Sequence, residues 1–364
     1  MHPVVAVGDE RAALAAVLRA RSRNLPLIVP PAGIAEVPGM SVARGQMVAF
    51  TSGSTGTQRG ILRTHASWTA SLDPLTELLD LQAGDRICVR GSVRATMGLY
   101  GAVHAMHALG EVILADEPCE RATIAHAVPM AARDLLAEPP PNLRLIVVAG
   151  DRVPDDLVVQ ADRRGIALLE YYGATELSFV AYRRSDVDAP GLAAFPGVQL
   201  RIEDGVIWAR SDYLAQGYVG SAGGPGRWQD GWATVGDRGW LHQDRLHQDR
   251  LMIQGRGDEA ITVGGHSVHL ADVEDALLQR LTDPGGPDAD RVELAVLGQE
   301  HVNLGQVPVA VIAGGPALVQ RAREASRALP APARPRRWIA VGKLPRTPAG
   351  KVDRAALRRL VQDA

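Results

Sequence analysis

Apolar residues recur along the chain in two rhythms. Over residues 9–21 alanine and leucine return at helical spacing behind Asp9, which is placed to cap the first turn, so an amphipathic helix is predicted there. Short apolar runs of strand type follow at 25–29, 47–50, 86–89, 111–115, 143–148 and 166–170, the first cut off by Pro30 and Pro31. Helix-like stretches lie between several of them, at 68–79, 131–137 and 155–164. This alternation predicts an α/β sheet covered on both faces.

Beyond about residue 195 the texture changes. Residues 198–202, 206–210 and 240–253 alternate between Gly and Pro turns, the pattern of antiparallel strands. The pentapeptide 242–246 is repeated residue for residue at 247–251; it reads as a duplication lengthening a hairpin, with a dedicated partner site as the other reading. From residue 258 comes a compact series: strand 261–263, helix 270–280, strands 292–297 and 307–313, helix 317–328, strand 338–341 and a final helix from Asp353. The expected fold class is therefore α/β. A large N-terminal domain, 1–254, combines layered sheets and helices with a β-rich segment, and a small mobile α+β C-terminal domain spans 258–364.

Composition narrows the class. At 364 residues the chain exceeds one comfortable core, and 46% hydrophobic with 22% charged residues is a globular profile. A net charge of −2 leaves no electrostatic footprint for nucleic acid or an anionic membrane. No apolar stretch reaches the ~18 residues that span a bilayer, and the first ten residues lack the order of a secretory signal. Cys88 and Cys119 are too few for a disulfide framework or a zinc site. A cytoplasmic enzyme is expected. Among 39 basic residues only Lys343 and Lys351 are lysines, so a lysine here marks either chance or a need for a compact ammonium.

Four segments carry candidate chemistry. Thr51-Ser52-Gly53-Ser54-Thr55-Gly56-Thr57-Gln58-Arg59-Gly60 follows a strand and precedes a helix-like stretch. Hydroxyls and glycines this dense free backbone N–H groups for phosphate oxygens, with a guanidinium as counter-charge; a flexible linker is the bland alternative. Tyr171-Tyr172-Gly173-Ala174-Thr175-Glu176 ends a strand, where α/β sheets gather ligands. It offers an aromatic face for a purine, a hydroxyl for phosphate and a carboxylate for Mg2+, or simply a turn. Val235-Gly236-Asp237 and Gly255-Arg256-Gly257-Asp258 are either turns or a carboxylate and a guanidinium for a ribose. Leu344 to Arg354 presents Lys351 in a Pro/Gly loop, suited to reach a phosphate or carboxylate.

In this order the segments resemble the adenylate-forming superfamily of acyl- and aryl-CoA synthetases, amino-acid-adenylating domains and firefly luciferase. The first is similar to its phosphate loop, with Gln58-Arg59-Gly60 in place of Pro-Lys-Gly. Tyr172 to Glu176 matches its Tyr-Gly-x-Thr-Glu motif, Gly236-Asp237 its Thr-Gly-Asp with valine for threonine, and Pro345 to Arg354 its C-terminal lysine segment. Family members carry considerably more chain before the phosphate loop than the 50 residues here, so a reduced N-terminal subdomain is expected.

The resemblance implies ATP-dependent activation of a carboxylic acid to acyl-AMP, then transfer to a thiol. The expected cofactors and partners are ATP, Mg2+ and CoA, or phosphopantetheine on a carrier protein. It assigns catalysis to Lys351, Glu176 and Thr175, with Glu176 also holding the metal. ATP or AMP falls to Thr51, Ser52, Gly53, Ser54, Thr55, Gly56, Arg59, Gly150, Tyr172, Gly173, Asp237 and Arg256. Asp258 is the implied hinge, Gly264 and Gly265 the thiol tunnel (or a β-turn), and Arg94, Met97, Gly98 and Ala174 the acyl pocket. Arg94 either meets a polar substrate group or is a surface charge. The pairs His104/His107 and His266/His269 read as packing or surface histidines. A degenerate nucleotide-binding homologue without turnover is the competing class, and a homodimer would cover apolar surface left by the short N-terminus.

Overall fold

The structure is a computed structural model that describes residues 2–31, 34, 40–50, 59–151, 153–186, 190–220, 224–245, 248–256, 260–263, 266–281, 292–347 and 350–363. The chain opens with β1 (Val4–Val5), α1 (Glu10–Ser22), β2 (Leu27–Val29), β3 (Gln46–Phe50) and β4 (Gly60–Thr64). Asp9 caps α1, its Oδ1 accepting from Ala12 N at 2.7 Å, and Ala13, Leu14, Ala16, Val17 and Ala20 form the buried stripe. β1, β2 and β3 are parallel, and β4 returns antiparallel to β3 with Phe50 opposite Gly60. β4 thus stands between the phosphate-loop segment and the helix-like stretch expected from residue 68, and the segment connects two neighbouring strands.

Next come α2 (His65–Thr69), α3 (Leu72–Leu78), β5 (Ile87–Val89), α4 (Thr96–Leu109), β6 (Ile124–Ala127), α5 (Pro129–Ala137), β7 (Leu145–Val148), α6 (Asp155–Arg163) and β8 (Ala167–Ala174). β5 to β8 run parallel, with α4 against one face and α5 and α6 against the other, the covered sheet that the alternation predicted. Three details differ from expectation. Helix 68–79 divides at Ala70 and Ser71. Residues 111–115 contribute only a bridge from Ile113 to Cys88. α4 and β6 had no periodic signature, because α4 is buried from Gly98 to Ala105 and so lacks a polar face.

The β-rich segment follows as β9 (Ser178–Arg184), β10 (Leu192–Ala194), β11 (Gln199–Glu203), β12 (Val206–Arg210), β13 (Gly217–Tyr218), β14 (Arg227–Gln229), β15 (Trp232–Thr234), β16 (Asp237–Gln243) and β17 (Asp249–Arg256). Most of it extends the parallel sheet in the order β14-β15-β12-β16-β17-β10-β9-β8-β7-β6-β5, while β13 joins β4. The described residues of the duplicated pentapeptides, 242–245 and 248–251, lie at the end of the β16–β17 hairpin, with Gln243 opposite Asp249 and Leu241 opposite Leu251.

The remaining chain forms β18 (Ala260–Val263), β19 (His266–His269), α7 (Leu270–Leu281), β20 (Glu293–His301), β21 (Gly305–Ala313), α8 (Pro316–Ser326), β22 (Arg337–Val341) and α9 (Arg354–Asp363). Its sheet separates two small cores: Ile261, Leu277, Val296 and Ile312 on one side, Ala295, Leu297, Val311 and Leu357 on the other. Neither core shares a residue with the clusters built from residues 6–251. Among the described residues no helix is long and apolar enough to cross a membrane.

Candidate active site

A cavity of about 340 Å3 opens at the carboxyl ends of β6, β7 and β8, where an α/β sheet collects ligands. β8 supplies Tyr171, Gly173 and Ala174, the turn after it Thr175, β9 Ser178 at its start, and the loop after β7 Gly150. Gly173 sits at a bulge in the β8–β9 pair, where a Cβ would lie 2.0 Å from the Ser178 carbonyl oxygen, so only glycine fits. The opposite wall is the start of α4, with Arg94, Thr96, Met97 and Gly98. A Cβ on Gly98 would meet Ser92 O at 2.3 Å, which is how the helix approaches that loop so closely.

The C-terminal unit completes the wall with Gly350 and Lys351. Lys351 Cε comes to within 3.5 Å of the position a Gly150 Cβ would take, an ordinary packing distance, and Gly150 is glycine because its backbone holds φ +93. The lysine's loop is fixed from behind. Thr347 N donates to Lys351 O, Gly350 N to Thr347 O and Asp353 N to Pro345 O, each at 2.8 Å. Arg346 ties it to Glu293 at 2.8 Å, and Arg354 forks onto Glu274 at 3.0 and 3.1 Å.

Beside the cavity the turn buries Glu176, whose Oε1 accepts from the Tyr218 hydroxyl at 2.9 Å; that hydroxyl accepts in turn from Gly226 N at 2.8 Å. Burial, reinforced by the Glu176 charge, pushes the Tyr218 phenol up to about 12, while nearby Arg59 works the other way. Arg63 lies fully buried beneath, donating to Ser178 Oγ at 2.7 Å, to Thr175 O at 3.3 Å and to Tyr213 O. Burial lowers its guanidinium to about 10, against the pull of Tyr100 and Glu176. Tyr172 donates its hydroxyl to Asp237 Oδ2 at 2.8 Å, and Asp237 faces Arg256 across the β16–β17 hairpin.

The structure thus brings together Lys351, Gly150, Gly173, Ala174, Thr175, Arg94, Met97 and Gly98 around one cavity. Glu176, Tyr172 and Asp237 lie outside that lining. Arg94 is committed to the backbone: its Nε donates to Pro30 O at 3.3 Å and its Nη2 to Ile34 O at 2.9 Å. Thr51, Ser52, Gly53, Ser54, Thr55, Gly56, Asp258, Gly264 and Gly265 lie outside the described residues, and of Arg256 only the backbone is described. Among the described residues no cluster of three His, Cys, Asp or Glu side chains could hold a metal. Glu176 with the Thr175 hydroxyl is an oxygen-donor pair of the kind Mg2+ takes when substrate phosphates supply the other ligands. His104 is buried against Thr76, and His107 pairs with Asp73 at 2.7 Å, as packing and surface groups should.

No sequence motif marks Arg63, Tyr218 or His126. An arginine carries no signal in a chain whose basic residues are nearly all arginine, and Tyr218 earned attention from no motif.

The model of the AMP-binding enzyme family matches residues 40–219. The chain is 26% identical over 347 residues to the uncharacterized acyl-CoA ligase YhfT of Bacillus subtilis, covering 87% of this chain and 69% of that protein. It is 29% identical over 358 residues to the indoleacetate-CoA ligase of Aromatoleum aromaticum, covering 86% and 67%. In fold it is similar to ATP-bound MatB from Rhodopseudomonas palustris, with a TM-score of 0.73 at 23% identity over 91% of this chain and 72% of that one.

Proposed function

Residues 40–219 belong to the AMP-binding enzyme family, and from that premise we propose that the chain is an acid–thiol ligase that makes acyl-AMP from ATP and a carboxylic acid, then a thioester with CoA. One observation carries the reading. Lys351, from a unit with its own core, stands in the cavity wall against Gly150 and shares that wall with Thr175.

The chemistry follows from charge. A carboxylate is a weak nucleophile and the triphosphate is densely anionic, so the attack at the α-phosphorus depends on neutralisation and in-line placement. In this reading the Lys351 ammonium sits between the acid's carboxylate and the α-phosphate, and the Thr175 hydroxyl donates to a phosphate oxygen. Asp237 accepts from the ribose hydroxyls, opposite Arg256, and Tyr172 offers its ring to the purine. Arg59 and the segment 51–58 hold the outgoing pyrophosphate. Mg2+, held by Glu176, would supply further charge compensation on the phosphates. Arg63 and Tyr218 act indirectly, the first fixing the turn that bears Thr175, the second fixing the Glu176 carboxylate.

Thioester formation needs the thiol where the lysine stood. A rotation of residues 260–364 about Asp258 would withdraw Lys351 and bring Gly264 and Gly265 to line the thiol's path. The test is acid-dependent release of pyrophosphate, lost in Lys351→Ala, followed by comparison of thioester yield with free CoA and with a holo carrier protein. Tight ATP binding with no release for any acid would refute the reading.

A further inference from the structure

Two cysteines are too few for a disulfide framework, but the fold sets both on one side of one strand. β5 is the last strand in the order of its sheet, and Cys88 is its middle residue. Ile87 and Val89 belong to the core shared with α4, so Cys88, one residue out of phase, faces the other side of the sheet. Its register partner Ala125 belongs to the core on that side, and Cys119 packs against the same core.

The chain returns to β5 on both sides of Cys119. Before it, Ile113 bridges to Cys88, with Val89 N donating to Ile113 O at 2.9 Å and Ile113 N to Ile87 O at 3.0 Å. After it, Cys119 O accepts from Ala122 N and Arg86 O from Thr123 N, both at 2.9 Å, which lays this turn beside the start of β5. The two thiols are in hydrogen-bonding contact, and the Cys88 thiol also meets the Arg90 guanidinium. Arg90 lines the cavity and donates to Ala115 O at 3.4 Å. Cys88 is buried, whereas Cys119 is half-buried in a stretch that no helix or strand holds, so its backbone can adjust to the geometry of a bridge.

We propose that Cys88 and Cys119 are a redox site, a dithiol that hydrogen peroxide converts to an intramolecular disulfide and that a reducing dithiol restores. Cys119 is the thiol that peroxide meets first. Burial, then the neighbouring Cys119, pushes the Cys88 thiol up to about 12, so Cys88 carries little thiolate of its own. The Cys119 thiolate attacks one peroxide oxygen, the O–O bond breaks, and a sulfenic acid forms as hydroxide leaves. The Cys88 sulfur then attacks the sulfenic sulfur. An S–S bond replaces the S–O bond, and the departing hydroxide takes the Cys88 proton. The two sulfurs have lost two electrons, and the peroxide that gained them ends as two molecules of water. One consequence reaches the cavity: in the bridged form Arg90 loses the thiol it meets in the reduced protein.

The test treats the full chain with hydrogen peroxide and then with dithiothreitol. Since the chain has two cysteines, any intramolecular disulfide joins this pair. The intact mass should fall by two hydrogens, alkylation after unfolding in urea should find no free thiol, and dithiothreitol should reverse both. Cys119→Ser, at the half-buried position, should show no loss of hydrogens. Two persistent thiols, oxygen added to one sulfur without a bridge, or disulfide-linked dimers would each overturn the inference. These readouts are independent of the ligase reading. In pyrophosphate release, which rests on it, bridging should raise the KM for the acid about 2- to 10-fold, the range of one hydrogen bond. Reduction should restore it, and Cys119→Ser should be unmoved by peroxide. A bridge with KM unchanged would overturn the link through Arg90. No release from the reduced chain would remove the ligase reading and leave the bridge to be decided by mass.

Discussion

Replacing Lys351 with alanine removes one charge from the cavity wall and leaves its loop intact, since the loop is held by backbone bonds and by Arg346 and Arg354. The amine lies one bond beyond a Cε that is already packed towards Gly150. Taking about 4 Å to the oxygen it neutralises and an effective dielectric near 20, a unit charge pair is worth about 4 kcal/mol. The residue is half-buried, so water recovers part of that, and a loss of roughly 10²- to 10³-fold in adenylation is expected. Acid-dependent pyrophosphate release measures it. Thioester formation from preformed acyl-AMP and CoA should stay within about threefold of wild type, because the proposed rotation would withdraw the lysine from that step. Adenylation within about tenfold of wild type, or both half-reactions falling together at unchanged Tm, would refute the assignment.

Tyr218→Phe strips Glu176 Oε1 and Gly226 N of their shared hydroxyl, and the Mg2+ concentration for half-maximal pyrophosphate release should rise about tenfold; an unchanged requirement would place Glu176's support elsewhere. Gly173→Ala drives a Cβ into the Ser178 carbonyl at 2.0 Å, so urea titration should show a loss of about 3 kcal/mol or more. Burial lowers His104 to about 3, with His126 and His107 adding to the effect, and His126 to about 4, both from 6.5. Their neutral forms support the fold fully above pH ~6.5, and that stability is lost as pH falls through the folded values. The expected slope approaches about 3 kcal/mol per pH unit between pH ~6 and ~4, and replacing His126 with Phe should roughly halve it.

Much of the architecture was legible from two signals: burial on one face leaves a period, as in α1, and burial on both faces leaves a short continuous apolar run, as in β2, β5 and β7. α4 was invisible for the opposite reason: buried from Gly98 to Ala105, it has no polar face to set a rhythm. β6 is four residues long with a histidine in it, which breaks an apolar run without ending the strand. In the site, residues in dense local motifs could be named, since Gly173, Thr175 and Lys351 stand among glycines, hydroxyls and prolines. Arg63 and His126 reach the same cavity from regular strands, and only the pairing of those strands brings them there. Arg94 marks the converse case, where a charge near the pocket is consumed by the carbonyls of Pro30 and Ile34.

Three residues, 257–259, separate β17 from β18, and fully stretched they cover only about 10 Å. In the proposed cycle the cleft would not wait for its amine to diffuse in: a connection of so few residues would keep the amine at millimolar local supply whatever the dilution of the protein. Since the chain on either side keeps its own cores, the proposed rotation need unpack neither, and the pace of the cycle would not be limited by encounter.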